Sequence, residues 1–147
     1  MNYEMKKSNM KRYDKYKDSG IEWIGEIPEH WEYSKIKHFA VIITGYSFNA
    51  ETYTDDGIPI IRIGDIKNNI NLIECKKVPF EMYDKCLEFR IKKNDILIAL
   101  TGATIGKNCI FNSEEKVLLN QRVALIRPKI KIFLNFLKHL IDTNIFR

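Results

Sequence analysis

The sequence predicts an α+β fold: an irregular, mainly antiparallel sheet with flanking short helices and a C-terminal amphipathic helix. Three observations carry that expectation. Short apolar runs of strand length, bounded by Gly, Asn, Asp or Pro, recur at IPIIRIGDI (58–66), DILIAL (95–100) and VALIRP (123–128), with NCIF (108–111) between the last two. The terminal run IFLNFLKHLI (132–141) spaces Ile132, Phe133, Phe136, Leu137, Leu140 and Ile141 three and four residues apart, as one helix face requires. No internal repeat or low-complexity tract interrupts the 147 residues, and a chain of that length with 45% hydrophobic residues can close one core.

In chain order, residues 1–17 are polar, rich in Lys and Tyr, and without sustained periodicity, which predicts a flexible basic leader. Residues 18–147 are then expected to form a single domain. Its first stretch, DSGIEWIGEIPEHWE (18–32), holds both tryptophans. Ile21, Trp23, Ile24 and Ile27 follow in close succession before Pro28, which lacks an N–H and is expected to prevent regular pairing. An extended arm pinned by its aromatics is the result. Residues 45–57, rich in Asn, Thr, Asp and Gly, predict an exposed loop and the first candidate contact surface. Between the first two apolar runs, Phe80, Met82, Tyr83, Leu87 and Phe89 can share one face of a short helix over 79–90.

Charge favours a polyanionic partner. Lys and Arg total 24 against 19 Asp and Glu, a net charge of +5 with pI near 9.0, but residues 1–19 supply +3 of it. Any binding face on the folded part must therefore come from how charges cluster. Cys75, Cys86 and Cys109 are odd in number and form no CxxC pair, which fits a reducing, cytoplasmic compartment. No run approaches the roughly 18 apolar residues of a membrane helix.

No combination of residues reads as a catalytic centre, a cofactor site or a metal site. GATIGK (102–107) has three residues between its glycines and Asn108 after the lysine, whereas a phosphate-cradling P-loop needs four and a Ser or Thr. A tight turn between strands is the better account. Asp65, Glu74 and Lys76 satisfy a loose pattern used by metal-dependent nucleases, a common coincidence in a chain with 29% charged residues. His30, His38 and His139 are scattered, without ligand spacing or a partnered nucleophile. No Asn-Pro-Pro-Tyr-like sequence for methylating a base is present. The expectation is a non-catalytic protein.

Residues suited to nucleic acid instead gather around the strands. Asn120, Gln121 and Arg122 precede the VALI run; Asn and Gln can pair bidentately with adenine and Arg with guanine, or the amides can satisfy backbone groups in a turn. Lys107 beside Gly106, and Lys67 beside Asn68 and Asn69, can reach phosphates or stay solvated. Arg62, inside an apolar run, either pairs with Asp65 or Glu88 or points toward DNA, and Thr101 either donates to a phosphate or caps its turn.

Four blocks carry a family resemblance. YKDSGIEWIGEIPEHWE (16–32), GIPIIRIGDI (57–66), KKNDILIALTGATIGKNCIF (92–111) and LNQRVALIRP (119–128) resemble, in the same order, blocks of the specificity subunit (HsdS) of type I restriction-modification systems. The resemblance implies one target recognition domain, which reads one half of a bipartite site in double-stranded DNA. It also implies methyltransferase (modification) and restriction subunits as partners, to which S-adenosylmethionine and ATP belong, and a second specificity half or a homodimer. Gly102 and Gly106 carry over as structural positions, while specificity lies in variable loops. The chain is shorter than a whole subunit and stops before the family's long spacer helix, so it is expected to be a truncated form. A fragment acting mainly through protein–protein contacts, and a small nuclease using Asp65, Glu74 and Lys76, are the alternative expectations.

Overall fold

The computed structural model describes residues 13–22, 24–130 and 133–143. Most of the expected leader, residue Trp23 and residue Ile132 lie outside that set. Packing divides the chain into two compact units that part between Lys35 and Ile36, whereas composition put the boundary at 17/18. Strand pairing begins at Tyr16, inside the stretch expected as a leader.

In the first unit, β1 (Tyr16–Asp18) and β2 (Glu26–Pro28) form an antiparallel ribbon. Tyr16 and Lys17, expected in the leader, are therefore strand residues. Gly20 and Gly25 sit at φ +72° and +68°, a left-handed conformation that glycine adopts without Cβ strain, and they flank the turn that reverses the chain. Pro28 pairs with Tyr16 instead of stopping the ladder. It lies at the ribbon's end, where its missing N–H removes no bond and its carbonyl accepts from Trp31 N at 2.9 Å.

The second unit holds two four-stranded sheets. The first has the order β3 (Ala40–Thr44), β10 (Val123–Pro128), β7 (Ile96–Ala99), β8 (Asn108–Ile110), antiparallel throughout. The second runs β5 (Lys77–Val78), β4 (Ile58–Ile61), β9 (Val117–Leu119), β6 (Arg90–Ile91), and its β4–β9 pair is parallel. Strands β5, β6 and β9 span two or three residues each, too few to register a period in the sequence.

The run VALI is uninterrupted because β10 is covered on both faces. Val123 and Leu125 point into a core shared with Ile61, Leu97, Cys109, Phe111 and Leu119, while Ile126 packs with Ala40, Ile96, Leu137 and Ile141. Each such side chain contributes roughly 1.5–3 kcal/mol on burial. Leu137 and Ile141 belong to α2 (Leu134–Asp142), the expected amphipathic helix, although Phe136 points away and is 62% exposed. A third cluster joins Phe48, Ile58, Ile60, Val78, Cys86 and Leu118.

Two local expectations change. The helix over 79–90 shrinks to α1 (Met82–Lys85) followed by a 3-10 turn (Leu87–Phe89), with Phe80 and Leu87 exposed rather than on a common buried face. The 58–66 run leaves the sheet after Ile61 and closes into a 3-10 turn (Ile63–Asp65), because the Asp65 carboxylate accepts from Arg62 N at 2.9 Å. Among the described residues no helix is long and apolar enough to cross a membrane.

Candidate nucleic-acid interface

Strand direction collects the polar residues at one end of the second unit. β4 and β9 run parallel and end together at Ile61 and Leu119, while the pairing of Val123 with Ala99 and of Ala124 with Thr44 puts the start of β10 beside the ends of β7 and β3. The segment 120–122 is the corner by which the chain leaves the second sheet and enters the first. It is held by its own turn and from three other segments: Val123 N donates to Asn120 O at 3.0 Å, Asn120 N to Ile61 O at 3.1 Å, Gln121 N to Tyr46 O at 2.9 Å, and Leu100 N to Arg122 O at 3.0 Å.

At that corner the three candidate readers separate. Asn120 is only 8% exposed and serves the bridge to Tyr46, whereas the neighbouring Gln121 and Arg122 are exposed. The GATIGK turn lies alongside. Gly102 and Gly106 take φ +75° and +80°, and Ala99 exchanges bonds with Gly106 and Lys107 at 2.9 and 2.8 Å, so the glycines make a strand-to-strand turn, as expected. This turn exposes Thr101 and Lys107.

Arg62, just beyond Ile61, lends Nε to Asp65 Oδ2 at 3.3 Å, so of the options open in the sequence it takes the Asp65 pair. Lys67, Asn68 and Asn69 are exposed in the following loop. The loop 45–57 does not act as one surface. Its start, Gly45 and Tyr46, joins the corner, Phe48 is buried, and Thr54 bridges to Lys77 on the edge of the second sheet.

The nuclease pattern finds no support in the geometry. Asp65 spends one carboxylate oxygen on Arg62, and no group of three or more His, Cys, Asp or Glu side chains with metal-holding geometry occurs among the described residues. The cysteines are buried and free. Burial pushes the Cys75 and Cys109 thiols up to about 11, with Asp65 adding to the shift at Cys75 and Lys138 opposing it at Cys109.

Residues 28–146 match the family model described as the type I restriction modification DNA specificity domain. The chain belongs to that family. This specificity domain is 29% identical over 104 residues to the type I restriction enzyme EcoAI specificity subunit of Escherichia coli, covering 67% of this chain and 18% of the relative. It is 28% identical over 149 residues to the MjaVIII specificity subunit of Methanocaldococcus jannaschii, covering 97% of this chain and 35% of that one. Its fold matches the HsdS subunit from Thermoanaerobacter tengcongensis with a TM-score of 0.61 at 17% identity, over 86% of this chain and 29% of the other. The domain thus spans about a fifth to a third of the length of these relatives.

Within the 45–57 loop marked as a candidate contact surface, sequence reasoning did not single out Gly45 and Tyr46. A Cβ on Gly45 would stand 2.2 Å from the Asn120 carbonyl oxygen, so only glycine lets the end of β3 lie against the corner. The Gly-Tyr step after an apolar strand was a legible turn signal, but nothing local connects it to residue 120.

Proposed function

We propose that this specificity domain recognises one half of a bipartite site in double-stranded DNA and does no chemistry itself. The observation that carries the reading is the convergence of Thr101, Lys107, Gln121 and Arg122 at one end of the paired sheets, in a chain of this family. Lys67 and Lys107 pair with no carboxylate among the described residues, so they are available to phosphates. Gln121 and Arg122 carry the base-reading chemistry, adenine for the amide and guanine for the guanidinium. Asn120 supports them from below as a buried corner residue.

The specificity-subunit relatives support methyltransferase and restriction subunits as the partners that would act on the bound site. A second specificity half, on another chain or a second copy of this one, would supply the other half-site. A reducing cytoplasm suits such a protein and its three free cysteines.

Selection of bound sequences from random duplex DNA, with and without a co-expressed modification subunit, tests the reading. Enrichment of one short half-site, with affinity falling steeply as salt rises, is the expected result. Equal binding to enriched and scrambled duplexes in both conditions would reject it.

A further inference from the structure

We infer that Tyr46, a half-exposed residue, is a specificity-determining residue of this domain, presenting its ring to the DNA half-site beside Gln121 and Arg122. The inference rests on the DNA-reading proposal above and adds a residue to it. Three observations meet at this position. Tyr46 is built into the corner by its backbone: its N–H donates to Leu119 O at 2.9 Å and its carbonyl accepts from Gln121 N at 2.9 Å. Its ring is braced edge-on by Phe48, centroids 4.9 Å apart, and by Phe89 at 5.4 Å. Yet the residue remains 41% exposed, at the end of the second unit where Thr101, Lys107, Gln121 and Arg122 gather.

A purely structural aromatic has no need of that arrangement. Phe48 already fills the adjacent core at 7% exposure, and Phe89 packs against both neighbouring clusters. Tyr46 adds a ring with few rotamers to lose, on a backbone bonded directly to that of Gln121. Such a ring suits apolar contact with a thymine methyl or a deoxyribose face, which costs little conformational entropy on binding. The ring face, not the hydroxyl, carries the contact.

Fluorescence anisotropy of the full chain with its enriched duplex and with a scrambled duplex tests this, using Tyr46→Phe, Tyr46→Leu and Tyr46→Ala, with thermal unfolding of each. The expected result is a preference ratio unchanged within about twofold for Tyr46→Phe and reduced about tenfold for Tyr46→Leu, while binding to scrambled DNA stays as in the parent. Tyr46→Leu keeps an apolar group against Phe48 and Phe89, so it remains informative where Tyr46→Ala fails to fold. A full preference ratio in Tyr46→Leu overturns the inference and leaves the DNA-reading proposal standing. A Tyr46→Phe protein as impaired as Tyr46→Leu moves the contact to the hydroxyl and also overturns it. A parent chain with no preference rejects the DNA-reading proposal itself, and the inference with it.

Discussion

Asp95 and Arg127 form a bidentate ion pair between the start of β7 and the end of β10: Nε donates to Oδ1 at 2.8 Å and Nη2 to Oδ2 at 2.6 Å. Asp95 is 1% exposed, and Oδ2 also accepts from the Lys92 backbone at 2.8 Å, while Arg127 Nη2 donates to Arg90 O at 2.8 Å. The pair thus ties the first sheet to β6 of the second.

Removing one partner leaves the other charge poorly solvated. Asp95→Ala is expected to cost roughly 2–4 kcal/mol, below the full figure for a buried pair because Arg127 keeps some water. Urea unfolding followed by circular dichroism measures it. A midpoint unmoved by Asp95→Ala would mean that the pair contributes nothing to the junction.

Gly45 and Gly64 make a matched test of close approach. Gly45→Ala forces a Cβ to 2.2 Å from the Asn120 oxygen and is expected to destabilise by roughly 2–3 kcal/mol, whereas Gly64→Ala meets nothing within 4 Å and is expected to be neutral. Differential scanning calorimetry of the two variants should place their transitions well apart, with Gly64→Ala near the parent.

The thiols impose a pH dependence on stability. With Cys75 and Cys109 raised to about 11 in the fold, the unfolded chain loses these protons first, from about pH 9. The folded state then binds more protons than the unfolded one, so stability is full below pH 9 and declines as pH rises toward 11. The double variant Cys75→Ala, Cys109→Ala should show a shallower decline over that range in unfolding titrations. Native protein at pH 8 should also react slowly with an aromatic disulfide reagent, and rapidly once unfolded.

Phosphate and base contacts predict different signatures. Lys107→Ala should weaken binding to every duplex alike and lower the slope of log affinity against log salt by about one, while Arg122→Ala should lose about tenfold in preference for the enriched site. Filter binding across a salt series separates the two. Identical behaviour of the variants would contradict the division of roles.

Asn120 provides the contrast within its own triplet. Its burial at the corner predicts that Asn120→Ala lowers stability and reduces binding to all sequences in proportion to the folded fraction, without changing which site is preferred. A changed preference in correctly folded Asn120→Ala protein would return it to the readers.

Local pattern alone settled the α+β class, the strands around VALI and DILIAL, the glycine turn at 102–106 and the amphipathic α2, because each is encoded within ten residues by period or by turn chemistry. It also marked the 119–128 block as a place where polar candidate readers precede a strand. What it left open was every relation between distant segments. The parallel β4–β9 pair joins Ile61 to Leu119, and the bridge from Tyr46 reaches Asn120, across separations that no local period reports. Those pairings bury Asn120, leave Gln121 and Arg122 exposed, commit Arg62 to Asp65 and bring Tyr46 to the corner. They arise because strands of two or three residues cannot bury their apolar sides alone, so only closure of the shared core selects their partners, and with them the side chains left facing out.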